Sequence, residues 1–312
     1  MKFSKSILLT LALIASSAIN AQNIDYSIFD HKLNFFVVND TGRNGYYDQK
    51  TIAELMGNMA ENGASPEFIV ATGDVHHFNG VASTNDPLWM TNYELIYSHP
   101  ELMISWYPML GNHEYRGNTQ AVIDYSQVSR RWEMPSRYYS RTFNDKGCTL
   151  RIVCLDTTPL ISRYRNESSE YPDAAKQNPD EQLKWLDEVL SNASEDWVIV
   201  FGHHPIYAQT SKDDIERTDL QKCLEPILER HKVPLYVNGH IHNFQHICFK
   251  GKCTQFVTNS AGALARKVKP TKGTVFADPS AGFSIISVTK NSLELRMIDR
   301  DGNIIHTVSL SK

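Results

Sequence analysis

Short apolar runs punctuate this chain and alternate with stretches of helical periodicity. Residues 35–38, 68–71, 152–155, 197–201 and 235–237 are nearly all nonpolar and are bounded by polar positions. Runs this short, rich in β-branched and aromatic side chains, predict buried strands. Between them, Ile52, Leu55, Met56 and Met59 recur at helical spacing after Asp48. Asn178-Pro179-Asp180-Glu181 reads as a helix start, in which Asn caps, Pro suits the first turn and Glu follows the cap by three residues. Leu183, Leu186 and Leu190 then form its buried stripe. Another helical pattern carries Leu220, Cys223, Leu224, Ile227 and Leu228, and Pro226 within it predicts a kink or a boundary. Beyond Cys253 the pattern turns to strands at 254–258, 283–289, 292–298 and 303–310, with Asp301-Gly302 as a hairpin turn. Helices lying between strands predict an α/β sandwich with much of its sheet buried. No internal repeat or linker divides the pattern.

Composition narrows the class. The 312 residues are 41% hydrophobic and 21% charged, which excludes a disordered chain. A net charge of −4 offers no excess of positive charge to nucleic acid or to an anionic membrane. The N-terminus has Lys2 and Lys5, an apolar stretch at 7–14 and small residues before Ala21. That order predicts a signal peptide over residues 1–21 and one domain over 22–312. The apolar stretch is too short to span a membrane. A secreted or periplasmic location follows, and with it an oxidising environment for the five cysteines. Cys248 and Cys253 flank Phe249-Lys250-Gly251-Lys252 and are candidates for a hairpin disulfide. An odd count leaves at least one thiol unpaired.

The candidate chemistry is concentrated. Seven of the twelve histidines fall in four short blocks. Five blocks in all carry ligand-type residues: Asn39-Asp40-Thr41-Gly42, Gly73-Asp74-Val75-His76-His77, Gly111-Asn112-His113-Glu114, Gly202-His203-His204-Pro205 and Gly239-His240-Ile241-His242. Most follow a predicted strand, and strand ends are where an α/β sheet collects its site. Carboxylates and imidazoles brought that close need a cation to hold them together. Oxygen and nitrogen ligands without thiolate suit Fe, Mn or Zn rather than a structural cysteine-zinc site.

These blocks resemble the calcineurin-like metallophosphoesterases, and in detail the small purple acid phosphatases of the tartrate-resistant type 5 kind. Residues 111–139 resemble that subfamily throughout, as do Gln182 to Leu190 (QLKWLDEVL) and Thr258 to Gly262 (TNSAG). The resemblance runs from about Leu33 to Ile298 and lacks the separate N-terminal β domain of the large plant enzymes. It implies a single-domain, four-layer αββα sandwich and a pair of metal ions. Asp40 and His242 would bind the first ion, and Asp74 would bridge. Asn112, His203 and His240 would bind the second. It further implies hydrolysis of phosphate monoesters by in-line attack of a metal-bridging hydroxide, with His113 as general acid or transition-state stabiliser. Asn112 and His113 are candidate substrate contacts, and His204 and His76, beside candidate ligands, would either touch the substrate phosphate or orient a ligand from behind. The segment 207–219 is expected to shape the pocket, and the polar segment 162–176 to form a surface loop on its rim.

One departure bears on the metals. The subfamily pattern in the second block is GDxxY, whose tyrosine binds ferric iron. Here His77 stands in that place, and the first block lacks the histidine that other metallophosphoesterases supply. His77 is therefore read as a ligand of the first ion. A ferric-tyrosinate site is not expected, and Fe, Zn or Mn remain open. The expected partner is a small phosphorylated substrate, with no nucleic acid and no membrane span. Two other readings stay open: a phosphodiesterase or nucleotide pyrophosphatase on the same fold, and a phosphate-binding protein without catalysis.

Overall fold

The computed structural model describes residues 24–212, 214–270 and 272–312. The expected signal segment lies outside them. The apolar runs form strands as expected, with extra ones between: β1 Leu33–Val38, β2 Phe68–Ala71, β3 Ser105–Pro108, β4 Tyr139–Asp145, β5 Cys148–Cys154, β6 Trp197–Phe201, β7 Leu235–Asn238, β8 Phe244–Ile247, β9 Gln255–Thr258, β10 Thr274–Asp278, β11 Gly282–Val288, β12 Ser292–Asp299 and β13 Ile304–Ser311. They build a six-stranded sheet ordered β13-β12-β11-β1-β2-β3 and a seven-stranded sheet ordered β10-β8-β9-β7-β6-β5-β4. β1, β2 and β3 run parallel in the first. β5, β6, β7 and β9 run parallel in the second. Parallel runs bring the carboxyl ends of their strands to one edge, which is where a site collects.

The α-helices are α1 Gln49–Met59, α2 Thr119–Asp124, α3 Ser162–Asn166, α4 Pro179–Ser191, α5 Ile215–Cys223 and α6 Glu225–Arg230. α1 buries the expected Ile52, Leu55, Met56 and Met59. α4 starts as read: the Asn178 side chain accepts hydrogen bonds from the Asp180 and Glu181 backbone N–H groups. Pro226 marks a boundary, with α5 ending at Cys223 and α6 starting afresh at Glu225. Cys248 and Cys253 are free, as are the other three cysteines, so the expected hairpin disulfide is not formed. Among the described residues, no helix is long and apolar enough to cross a membrane.

The two sheets meet through aromatic side chains. Phe35 of β1 stacks on Phe68 of the same sheet at 4.6 Å and meets Phe201 of the other sheet edge-on at 6.3 Å. All three rings are buried. Phe35→Ala should therefore cost about 3–5 kcal/mol through lost burial and an unfilled cavity. Denaturant unfolding would show this as a lower midpoint at an unchanged slope. A shift under about 1 kcal/mol would mean that the sheets do not depend on this contact.

Candidate metal centre

All five ligand blocks lie just past carboxyl ends of strands. Asp40 follows β1, Asp74 follows β2, and Asn112 with His113 follows β3. His203 follows β6, and His240 and His242 follow β7. The first three come from one sheet and the last three from the other. The backbone bends sharply to present them. Asp40, Asp74, His240 and His242 have φ of 50°, 56°, 73° and 59°, a left-handed region that costs a non-glycine residue on the order of 1–3 kcal/mol. Surrounding bonds hold the bends in place. The Glu114 carboxylate accepts from the N–H groups of Asp74, His76 and Gly111 at 2.9, 3.0 and 2.7 Å. The His240 N–H donates across the sheets to Asp40 Oδ2 at 2.8 Å. A side chain at position 111 would collide with Asp74 Oδ1, so only glycine fits there.

The side chains converge as two adjoining sets. In one, Asp40 Oδ1 lies 3.0 Å from His242 Nε2, and His77 offers a nitrogen within 4.8 Å of both. The His242 Nδ1–H donates to Leu264 O at 2.7 Å, which turns Nε2 inward with its lone pair. Both ring nitrogens of His77 are buried without a hydrogen-bond partner. In the other set, His203 Nε2 lies 3.2 Å from Asp74 Oδ2, 3.3 Å from Asn112 Oδ1 and 3.2 Å from His240 Nδ1. The His203 Nδ1–H donates to Thr72 O at 2.8 Å, and the His240 Nε2–H donates to Glu216 Oε2 at 2.9 Å. Each imidazole thus spends its proton outward and aims its lone pair at the other acceptors. Asp74 Oδ2 is shared, lying 3.5 Å from His77 Nε2.

Acceptors facing one another this closely require a positive charge. Burial alone would lower the His203 pKa, yet Asp74 and Asp40 lift it to about 9, so a proton is drawn to the place a cation would take. The same imidazoles keep the Asp40 and Asp74 carboxyls far below the usual range despite their burial. The orphaned nitrogens of His77, the converging lone pairs and the mixed oxygen and nitrogen donors all fit metal ions.

The calcineurin-like phosphoesterase profile matches residues 33–244. The chain belongs to that family. Within it the chain is purple acid phosphatase-like: it is 32% identical to purple acid phosphatase 7 of Arabidopsis thaliana over 294 residues, 91% of this chain and 87% of that protein. It is 29% identical to tartrate-resistant acid phosphatase type 5 of Sus scrofa, over 79% of this chain and 76% of that one. Among solved structures, GAP50, the anchor in the inner membrane complex of Plasmodium, superposes with a TM-score of 0.77 at 22% identity, covering 90% of this chain and 89% of that one. This last likeness concerns the fold alone.

Against this calcineurin-like frame, not every expected contact lies at the centre. His76, expected at the phosphate, is fully buried behind it. Its ring packs edge-on against Trp89 at 4.4 Å, and its Nδ1 meets Asn92 Nδ2 at 3.3 Å. His204 is enclosed but lies at the centre, with a ring nitrogen within 4.8 Å of those of His203 and His240 and its ring centroid 4.3 Å from that of His240. Its Nδ1 meets Thr157 Oγ1 at 2.9 Å and its Nε2 meets Tyr164 Oη at 3.1 Å. Tyr164 comes from the segment read as a surface loop. It is buried on α3, and its hydroxyl donates to Glu216 Oε1 at 2.7 Å. Glu216 on α5 is thus a buried carboxylate that orients a candidate ligand, His240, and the sequence pattern does not reveal it. Lys212 is equally unforeseen, with Nζ 2.9 Å from His240 Nε2 and 3.4 Å from Nδ1. Both lie within 207–219, the segment expected to shape the pocket. His113 stays at the mouth: its Nδ1–H donates to Phe78 O at 2.7 Å, and its Nε2 stands 3.8 Å from Asp74 Oδ2.

Proposed function

We propose that this protein is a dinuclear-metal phosphatase, exported by residues 1–21, that hydrolyses phosphate monoesters. The observation that carries this reading is the convergence of His203 Nε2, Asp74 Oδ2, Asn112 Oδ1 and His240 Nδ1 within ligand distance of one another, beside the Asp40, His77 and His242 set. Asp40, His77 and His242 would hold one ion, Asn112, His203 and His240 the other, and Asp74 would serve both. Such a pair, when bound, supplies Lewis-acid charge to a phosphoryl group and a water acidic enough to ionise near neutrality. The chain's own groups do the rest. Glu216 fixes the ring of His240 through its Nε2–H, as outer carboxylates do for ligating histidines. Asp74 Oδ1 accepts the His113 backbone N–H at 2.9 Å and so positions that residue over the site. His113, tethered by Phe78 O, presents Nε2 to the leaving oxygen and delivers its proton there as the bond from phosphorus to that oxygen breaks.

The test is elemental analysis of the purified chain together with assays against p-nitrophenyl phosphate and its bis ester. Two ions per chain and faster turnover of the monoester are expected. Faster turnover of the bis ester would favour a phosphodiesterase. Phosphate binding without turnover of either ester, after addition of Fe, Mn or Zn, would favour a binding protein. His77→Ala should lower the metal content towards one ion per chain, because it removes a ligand of one set only. Wild-type protein should lack a tyrosinate charge-transfer band in the visible. Full metal content in His77→Ala, or a visible band removed by substitution of a tyrosine, would overturn the role given to His77.

A further inference from the structure

A cavity of about 400 Å³ opens beside His77, with Gly42, Arg43, Tyr46, Tyr47 and Phe78 as its other main walls. Three features give it a purpose. First, its rings face solvent: Tyr46 is 72% exposed, Tyr47 63% and Phe78 65%. Three exposed aromatic side chains around one concavity serve no core and mark a binding surface. Second, Arg43 is the reverse. It is only 6% exposed, yet its Nε and Nη1 have no hydrogen-bond partner. A guanidinium is a fork of five donors, and a buried one ordinarily meets carboxylates or carbonyls. Here it lies against the Phe78 ring, 4.8 Å from the centroid, with donors to spare. Third, the cavity adjoins His113. Phe78 O anchors His113 Nδ1, and the two rings stand 6.0 Å apart. Phe78 thus links the cavity to His113.

We propose that this cavity is the leaving-group subsite, and that it selects phosphate monoesters whose alcohol portion is a flat aromatic ring bearing a second anionic group. The proposal rests on the monoesterase reading. The ring stacks among Tyr46, Tyr47 and Phe78, whose faces are available for offset or edge contact. The second anion meets the guanidinium of Arg43 where that residue lines the cavity, in a charge-assisted contact. A short aliphatic alcohol fills neither requirement and gains from neither.

The test uses the metal-loaded full chain and three esters: para-carboxyphenyl, phenyl and cyclohexyl phosphate. Each kcat/KM ratio between two esters is compared between a variant and wild type, which cancels their intrinsic reactivities. Arg43→Met keeps the bulk of the stem and should lower the carboxyphenyl-to-phenyl ratio by roughly tenfold. Tyr46→Ala with Tyr47→Ala should lower the phenyl-to-cyclohexyl ratio by roughly three- to tenfold. Those tyrosines are exposed, so the second variant keeps the test decisive if Arg43→Met fails to fold. Calorimetric titration with para-carboxybenzyl phosphonate, which is not hydrolysed, reads the same subsite without turnover. It should bind roughly tenfold more weakly to Arg43→Met. Unchanged ratios and unchanged phosphonate affinity would overturn the subsite and leave the phosphatase standing. No turnover of any ester, with phosphonate binding that still depends on Arg43, would overturn the phosphatase and support the subsite.

Discussion

Asp74→Asn should reduce phosphatase activity by a factor on the order of 10³ or more and strip at least one ion from the chain. Asp74 stands at the middle of the centre. Its Oδ2 lies 3.2 Å from His203 Nε2 and 3.5 Å from His77 Nε2, so it reaches both sets. Asparagine keeps the shape but replaces an anionic oxygen pair with one neutral acceptor and one donor group. Removing a charge that would serve both ions is expected to forfeit several kcal/mol of transition-state stabilisation, and each 1.36 kcal/mol is tenfold in rate. The Oδ1 contact to the His113 N–H is also at risk, because it survives only in one orientation of the amide. Elemental analysis and kcat with p-nitrophenyl phosphate check both halves of the result, with circular dichroism to confirm the fold. Wild-type metal content and activity in Asp74→Asn would refute the shared-ligand role.

His113→Ala should act differently. Metal content stays at the wild-type level, because His113 holds its Nε2 as far as 3.8 Å from Asp74 Oδ2 and is not assigned to either ion. Proton donation is lost, which lowers kcat by roughly 10²–10⁴-fold for esters of alkyl alcohols. For p-nitrophenyl phosphate the drop is smaller, since p-nitrophenolate departs without a proton. A plot of kcat against the acidity of the leaving alcohol therefore steepens in the variant. An equal loss with every ester would assign His113 to stabilising the phosphoryl group rather than to proton transfer. No loss at all would remove it from the reaction.

The ligand blocks were legible because each joins a bend to a metal-type side chain within a few residues, most of them directly after a short apolar run. The strands behind most of them were legible for the same local reason. Four strands were not. β3, β4 and β10 lie at sheet edges, where one flank meets no further strand and the sequence need not be apolar. Pro108 ends β3, as edge strands tolerate. β8 is buried throughout yet carries Gln245 and His246, whose polar atoms are satisfied internally by Gln209, Asn243, Gln255 and His306. Glu216 and Lys212 were hidden by distance along the chain. Each meets His240 from more than twenty residues away, and their own segment reads only as polar. Arg43 sits three residues after Asp40, close enough to notice, but only the fold shows that its guanidinium is buried without a partner. Position next to a candidate ligand does not say which way a ring turns: His76 packs against Trp89, whereas His204 packs against His203 and His240.

The centre draws Asp40, Asp74 and Asn112 from one sheet and His203, His240 and His242 from the other. Neither sheet alone owns a complete pocket, so ions seated there would work as rivets through the seam of the sandwich. Two structural halves that belong to distant parts of the chain would then be clamped by mass action, worth about 2.7 kcal/mol per site when free ion stands at a hundred times its dissociation constant. Chelation would loosen the same joint that heat loosens. The shelf life of the folded protein would accordingly track the metal content of its surroundings.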